Sequence, residues 1–419
     1  MISSFIFLIN PTFWMSFGVI EVSTNSRASY FKLVLFLSLV GFSIFPWGDG
    51  YERYKVFSDA GFYTLTGFLE KGLLQGDVVF SLIAYVINSF GLSYQYVQFV
   101  FVFIGFSLIF SHLRLLLTKV NQKERIFILF LVLFLVNIIG LANNLRYVLA
   151  TIFFVCAISN AENFNNNKKF VLWSVLAGLT HFYAFFLLFF YLLISFISTK
   201  LSKSNVNKVL FFSFMFSFVL PVVVTALASV IKSGDGLIAR KLASYLLGGD
   251  GAITKMVSSP VQFLNHFFKQ TPFLILIVYF YIFGDKECDR VKNFLLFSSM
   301  SFSLLYFFSI YLRVGYFSLL YGVFLLISTW NYCDLRFNWK CALFVSSFVY
   351  FSLNFVYFER IISRDNLSLL NDNALCIVAS PLFLIDKCTY GEQEIYEGNK
   401  QFMLLKMESI KRTMEVVGS

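Results

Sequence analysis

The sequence predicts an all-α polytopic membrane protein with about 11 to 13 transmembrane helices. Of its 419 residues, 58% are apolar and only 13% are charged, whereas an ordinary soluble domain carries roughly 25% charged residues. Apolar runs of about 20 residues recur along the chain, and a helix of that length crosses a hydrocarbon core of about 30 Å. We therefore expect a transmembrane domain over residues 1–358, followed by a polar tail, 359–419, whose side of the membrane the sequence does not fix.

The predicted spans follow the apolar runs in order. The first 26 residues contain no Lys or Arg. The first run therefore lacks the basic segment that begins a cleavable signal peptide, and we interpret it as a retained span. The full set lies near residues 2–20, 31–47, 96–113, 126–143, 146–161, 169–198, 209–231, 271–284, 293–312, 315–330 and 340–358.

Short basic loops set the expected orientation, because cytoplasmic loops of membrane proteins carry an excess of Lys and Arg. The loop that begins at Asp49 then lies outside. We expect two periplasmic loops, about 48–95 and 232–270, and the second is expected to form short amphipathic helices on the membrane surface. The loops assigned to the cytoplasm are 114–125, 162–169, 200–208 and 334–340.

Two apolar segments do not fit a single crossing. Counting residues 77–90 as a full span would put the basic 114–125 loop outside, so this segment is expected to be re-entrant or interfacial. The 30-residue run from Lys169 to Ser198 is too long for one untilted helix. We predict that it breaks near "GLTHF", which brings His181 towards the outer side.

Charged side chains near the outer ends of the spans are candidate substrate ligands. A guanidinium stays charged and donates paired hydrogen bonds to phosphate oxygens, so several arginines together suit a diphosphate. Asp49 is a candidate base for a sugar hydroxyl, with Glu70 as a further acid near the substrate. His181, in an apolar setting, is the alternative base. The arginines are Arg53, Arg146, Arg240 and Arg313.

Each of these residues also has a structural interpretation that the sequence leaves open. An arginine at the bilayer boundary can snorkel to membrane lipid phosphates, and an outer-loop acid can simply be solvated. A neutral histidine can pack between helices. The tyrosines Tyr51, Tyr54 and Tyr63 can form the interfacial aromatic belt or stack on sugars.

Composition argues against several other classes of protein. The net charge is +10, but the basic residues are dispersed among short loops, so we expect no nucleic-acid partner. The six cysteines show no Cys-x-x-Cys or Cys/His spacing, which argues against a structural zinc site. We expect no metal and no cofactor. Cys376 and Cys388 in the tail are a candidate disulfide pair if the tail is periplasmic.

An ordered set of weak motifs resembles the EpsG and Wzy-type O-antigen polymerase group of bacterial membrane enzymes. The resemblance covers about residues 30–330, and its motifs keep their order relative to the spans. The motifs are "GDGYERYKVF" after the second span, "GFLEKGLLQGDVVFSLIAYVINSFGLSY", "LRYVLATIFF", "LAGLTHFYAFFL" and "YLRVGYFSL".

The resemblance implies a metal-independent membrane glycosyltransferase of the bacterial inner membrane. Such an enzyme moves a glycan from undecaprenyl diphosphate to the non-reducing end of a lipid-linked repeat unit at the periplasmic face, with a chain-length regulator protein as an optional partner. Some relatives carry an Arg-x10-Gly pattern, which Arg240 and Gly251 match. On this reading Asp49 and His181 are catalytic. The substrate ligands are Arg53, Glu70, Arg146, Arg240, Arg313 and Tyr316.

Three rival functions remain at this point. A flippase for lipid-linked oligosaccharides would place charges deep within the spans, often with repeat symmetry. An O-antigen ligase would share the arginine and histidine chemistry but transfer the glycan to lipid A core. A non-enzymatic scaffold is the third alternative.

Overall fold

A computed structural model describes residues 2–46, 49–202, 204–213, 215–216, 268–285, 288–303, 308–330, 336–363, 393 and 395–400. All regular secondary structure in these residues is helical, so the predicted all-α class is confirmed. In chain order the helices are α1 (Ile2–Ile9), α2 (Pro11–Ser23), α3 (Arg27–Phe42), α4 (Asp49–Asp59), α5 (Leu65–Gln75), α6 (Val78–Ser89), α7 (Tyr94–Leu116), α8 (Gln122–Leu135), α9 (Ile138–Asn143), α10 (Leu145–Phe164), α11 (Asn167–Thr180), α12 (Tyr183–Ser198), α13 (Thr271–Phe283), α14 (Asp289–Ser303), α15 (Phe308–Ser328) and α16 (Phe337–Ser363).

Three helices of the described residues are long and apolar enough to cross a membrane. They are Tyr94–Leu116, Leu145–Phe164 and Tyr311–Ser328, and they coincide with three of the predicted spans. The helices Val78–Ser89, Tyr183–Ser198 and Thr271–Phe283 are apolar but shorter. The apolar helices are those of a membrane protein. The complete set of crossings and their orientation remain predictions.

The chain divides into two compact units. The first is formed by Met1–Phe186 with Phe351–Ser419, and the second by Leu187–Tyr350. In the first unit, α7 packs against α3 and α10, and α10 packs against α11. The second unit has its own core, in which α13 and α14 pack against α15.

Two predicted spans are interrupted by local capping signals. The run at 2–20 breaks at Asn10, whose side chain accepts a hydrogen bond from the Phe13 N–H at 2.9 Å and caps α2, which begins at Pro11. Likewise, Asn137 accepts from the Gly140 N–H at 2.8 Å and starts α9 within the run predicted at 126–143. Prediction of one continuous helix in each run was wrong, because an Asn N-cap favours a new helix start.

The break predicted near "GLTHF" is confirmed. Helix α11 ends at Thr180, His181 has an extended backbone with φ of −158°, and α12 begins at Tyr183. Helices α11 and α12 approach each other closely at this break, since a methyl group placed on Gly178 would overlap the ring of Phe185.

The segment expected as an outer loop at 48–95 is largely helical, comprising α4, α5 and α6. Gly76, in the left-handed region with φ of 71°, ends α5 and lets the chain turn back so that α6 packs on α5. With 12 residues, α6 is about 18 Å long, short of the roughly 30 Å needed for a full crossing. Its length agrees with the prediction that residues 77–90 do not span.

Candidate functional site: a buried arginine and aspartate cluster

Helix α4 presents one face to the protein interior. Asp49 lies in its first turn, where a negative charge is favoured by the helix dipole. Gly50 and Phe57 are buried, and a methyl group on Gly50 would overlap the Oδ1 atom of Asn143 in α9. This close approach of α4 and α9 holds Arg53, one turn after Asp49, on the inward side of the helix.

Asp77 is the centre of the site. It directly precedes α6, and its side chain is only 2% exposed. Its Oδ2 atom accepts hydrogen bonds from Nη1 of Arg53 at 2.9 Å and from Nη1 of Arg146, at the start of α10, at 2.5 Å. One buried carboxylate oxygen therefore aligns two guanidinium groups that are far apart in the sequence.

Arg146 extends the cluster towards the surface. Its second arm, Nη2, lies 3.3 Å from Oδ1 of Asp49. The side chains of Arg53 and Arg146 are each 15% exposed, whereas that of Asp49 is 37% exposed. The four residues thus form a chain with Asp77 at the closed end and Asp49 at the open end, and its formal charges balance.

The cluster is not saturated with hydrogen bonds. Oδ1 of Asp77 and the Nε atoms of Arg53 and Arg146 are buried and have no hydrogen-bond partner within the part of the chain that the structure describes. Because a buried polar group without a partner costs about 1–3 kcal/mol, such groups usually meet a ligand or water. The site therefore keeps both donors and an acceptor available.

Tyr94, the first residue of α7, completes the wall of the cluster. It is 1% exposed, and its hydroxyl group lies within electrostatic range of Asp49, Arg53 and Arg146. That hydroxyl also has no hydrogen-bond partner among the described residues. Phe80 of α6 covers the other side, with its ring 5.9 Å from Cζ of Arg53.

The structure brings together three of the residues singled out in the sequence: Asp49, Arg53 and Arg146. Asp77, the residue that connects them, is absent from the predicted set. Two features of the sequence point to Asp77. It is an acid directly before an apolar helix, which is a preferred N-cap position, and it belongs to a segment expected to line a cavity.

Glu70 and His181 lie outside the ion-pair cluster. Glu70 is exposed on α5 and forms no part of the ion-pair cluster, and its place near the substrate stays a prediction. His181 is half-buried, with its ring 6.3 Å from that of Tyr183. Tyr183 in turn lies 5.9 Å from the ring of Tyr147, the neighbour of Arg146 in the chain.

Arg313 and Tyr316 lie on α15 in the second unit. Arg313 is half-buried and Tyr316 is 7% exposed. A methyl group on Gly315 would come 3.0 Å from Oε1 of Gln270, and burial lowers the pKa of the adjacent Lys269 to about 8. Arg240, Gly251, Cys376 and Cys388 lie outside the described residues, as do most of the 232–270 loop and of the predicted span at 209–231.

Positive charge in the cluster comes from arginine. Within the described ranges, no group of three or more His, Cys, Asp and Glu side chains could hold a metal ion. Two guanidinium groups can neutralise an anionic leaving group as a metal ion would. The carboxylate of Asp49 at the open end can accept a proton. The arrangement has the parts needed to transfer a group from a phosphate ester.

The sequence was compared with protein families, with curated proteins and with solved structures. The sequence model of the EpsG family matches residues 29–372, a stretch that contains Asp49, Arg53, Asp77 and Arg146. No curated protein and no solved structure matches the chain significantly.

Proposed function

The chain belongs to the EpsG family, and we propose that it is a membrane glycosyltransferase that joins lipid-linked glycan units into a surface polysaccharide. Family membership supports a polysaccharide polymerase in general. The observation that carries the more specific proposal is the buried carboxylate of Asp77, which holds Arg53 and Arg146 side by side.

In this proposal the two arginines bind the diphosphate of the donor. Each guanidinium has five N–H donors, and Asp77 uses only one arm of each group. This proposal assigns their remaining N–H groups, the unpartnered Nε atoms among them, to phosphate oxygens. Because the cluster is largely shielded from water, its charges act more strongly on the leaving group than they would in solution.

Asp49 is proposed as the general base. It stands at the open end of the cluster, where an acceptor hydroxyl has access, and Arg146 orients its carboxylate. The acceptor oxygen attacks the anomeric carbon of the donor sugar while the bond from that carbon to the diphosphate oxygen breaks. The bonding electrons leave with the diphosphate, and the hydroxyl proton passes to Asp49.

The remaining details extend the same proposal. The donor is a glycan on undecaprenyl diphosphate, the acceptor is the non-reducing end of a lipid-linked repeat unit, and the reaction takes place at the periplasmic face of the bacterial inner membrane without a metal. Arg240, Arg313, Tyr316 and Glu70 are proposed to contact the lipid-linked glycan. His181 is the alternative base. Its ring lies beside that of Tyr183, which lies beside the ring of Tyr147, the residue that follows Arg146 in the chain.

Surface polysaccharide from a deletion strain tests this function. The strain is complemented with the wild-type gene or with Asp77→Asn, and lipopolysaccharide or capsule is separated on a gel. We expect single repeat units in the deletion strain, a ladder with the wild-type gene and single units with Asp77→Asn at equal protein level. An unchanged ladder in the deletion strain would contradict a polymerase, and complete loss of attached sugar would identify a flippase or ligase instead.

A further inference from the structure

The tail returns to helix α4. Ile395, 2% exposed, forms a small buried core with Phe45, against which Tyr51 and Tyr54 pack. The side chain of Asn399 donates a hydrogen bond to the Pro46 carbonyl at 2.9 Å and is itself buried. Residues 395–400 are helical and lie beyond the 29–372 stretch that matches the family. The tail thereby adds a surface of its own beside the proposed site.

The tail and α4 together form an open groove of about 680 Å³. It lies on the opposite face of α4 from Arg53, because residues three, four and seven positions apart share a helix face. Gln393 and Tyr396, three residues apart, form the other wall. The lining residues are Tyr51, Tyr54, Lys55, Ser58, Asp59, Gln393 and Tyr396.

The groove combines flat rings with hydrogen-bonding groups. The rings of Tyr51 and Tyr54 are stacked, with centroids 6.1 Å apart and planes 18° apart, and Tyr396 is 58% exposed. The face of an aromatic ring carries partial negative charge and attracts the C–H groups of a sugar ring. Hydroxyl, amide and carboxylate groups around the rings suit sugar hydroxyls.

Its charged side chains are neutralised by neighbours. Nζ of Lys55 lies 2.6 Å from the Glu52 carboxylate, and Asp59 pairs with Lys71 at 3.7 Å. The groove thus offers no uncompensated cation to a diphosphate. A neutral ligand with many hydroxyl groups fits it better.

The groove adjoins the arginine and aspartate cluster. The ring of Tyr54 contacts that of Tyr94 edge-on at 5.8 Å, and Tyr94 lies within electrostatic range of Asp49. Along α4, Tyr54 is about 7.5 Å from Asp49 at about 1.5 Å per residue. Asp49 is the first residue of α4 and its side chain is 37% exposed, so a chain of a few sugars that bends around this end of the helix can place its end at Asp49 and its following sugars in the groove on the other face.

From this geometry we propose that the groove is a subsite for the neutral sugars of the acceptor glycan, with Tyr396 of the tail as its main aromatic contact. The assignment to the acceptor rests on the proposed function, because it is Asp49 that takes the acceptor proton. The tail would then govern how firmly the growing chain is held rather than whether bonds form.

Glycan binding by the full-length protein in lipid nanodiscs tests the subsite. The probe is a set of soluble oligosaccharides prepared by partial hydrolysis of the surface polysaccharide of the source cell, and binding is followed by saturation-transfer NMR. We expect wild-type protein to bind, and Tyr396→Ala to bind about tenfold more weakly, as expected when an aromatic anchor is lost. Tyr396→Phe keeps the ring and should retain most of the affinity.

Phe90→Ala is the matched control, because Phe90 is an exposed aromatic residue of the same unit that does not line the groove. It should bind as wild type does. Absence of binding by wild-type protein, or equal binding by wild type and Tyr396→Ala, would overturn the subsite. This readout is independent of the deletion strain. A ladder lost on deletion together with unaltered binding by Tyr396→Ala would reject the subsite and leave the polymerase intact.

Discussion

Two ion-pair networks in the first unit, each with a buried or nearly buried member, differ in one respect. Glu21 pairs with Lys32 at 2.5 Å and also accepts hydrogen bonds from Ser3 and from the Trp14 ring N–H, and Lys32 donates to Ser3 as well. The Asp77 network, in contrast, leaves polar atoms of Asp77, Arg53 and Arg146 unpartnered among the described residues. The first network is internally complete, as expected of a structural pair. The second has capacity for a ligand.

Asp77→Asn should have the largest effect on activity. The neutral amide keeps the shape but no longer counters two guanidinium groups, so both arginines lose their alignment for the leaving group. Loss of one such preorganised contact lowers turnover by about 10²–10³-fold. The measurement is polymer formed per unit of membrane-inserted protein. Near-normal turnover would remove Asp77 from the site.

Glu21→Gln is the matched control for this change, because it also removes one negative charge from an ion pair, in this case a partly buried one. Loss of the Glu21 charge leaves the Lys32 ammonium without its ionic partner, which costs about 1–3 kcal/mol of stability. We therefore expect a lower unfolding temperature in nanodiscs but a normal ladder at equal protein level. A ladder lost at full protein level would mean that the complete network also serves the reaction.

Arg146→Lys should have a smaller effect than Asp77→Asn. Lysine keeps the charge but cannot reach Asp77 and Asp49 with two arms, which Arg146 does at 2.5 and 3.3 Å. Among the described residues, Arg53 forms an ion pair with Asp77 alone. Arg53→Lys should therefore lower activity less than Arg146→Lys does. Comparison of kcat and KM for the two variants measures the difference. A larger loss of activity in Arg53→Lys than in Arg146→Lys would contradict the larger role given to Arg146.

Gly50→Ala should have the smallest of these effects. The added methyl group would overlap Oδ1 of Asn143, so that either the Asn143 side chain or α4, with Asp49 at its start, must shift. Overpacking of this kind costs about 1–3 kcal/mol. Gly61→Ala, whose methyl group would lie 3.4 Å from Asn88, serves as the control in thermal unfolding and polymer assays. Equal behaviour of the two alanine variants would show that the close approach at Gly50 is dispensable.

Much of the site could be predicted from the sequence, because charges in a very apolar chain stand out. Asp49, Arg53 and Arg146 were selected on that basis. Asp77 was not, because its role depends on side chains 24 and 69 residues away. No periodicity within a helix encodes those contacts, which arise when α4, α6 and α10 pack together.

The fold shows the same division between local and distant information. The break at His181 could be predicted from run length, and the break at Asn10 also has a local signal, the Asn-Pro pair at the start of α2. The docking of the tail could not be predicted, since Asn399 and Pro46 are separated by 353 residues. Only the folded chain brings that segment to the groove.

Binding of inorganic diphosphate to the full-length protein in nanodiscs tests the central claim most directly. Affinity is measured by calorimetry for wild type, Arg146→Gln and Glu21→Gln. The account predicts that Arg146→Gln binds about tenfold more weakly or worse, as expected when a charge-assisted contact is lost, while Glu21→Gln binds as wild type does. Equal affinity in all three proteins would contradict the assignment of the Asp77 network as the diphosphate site.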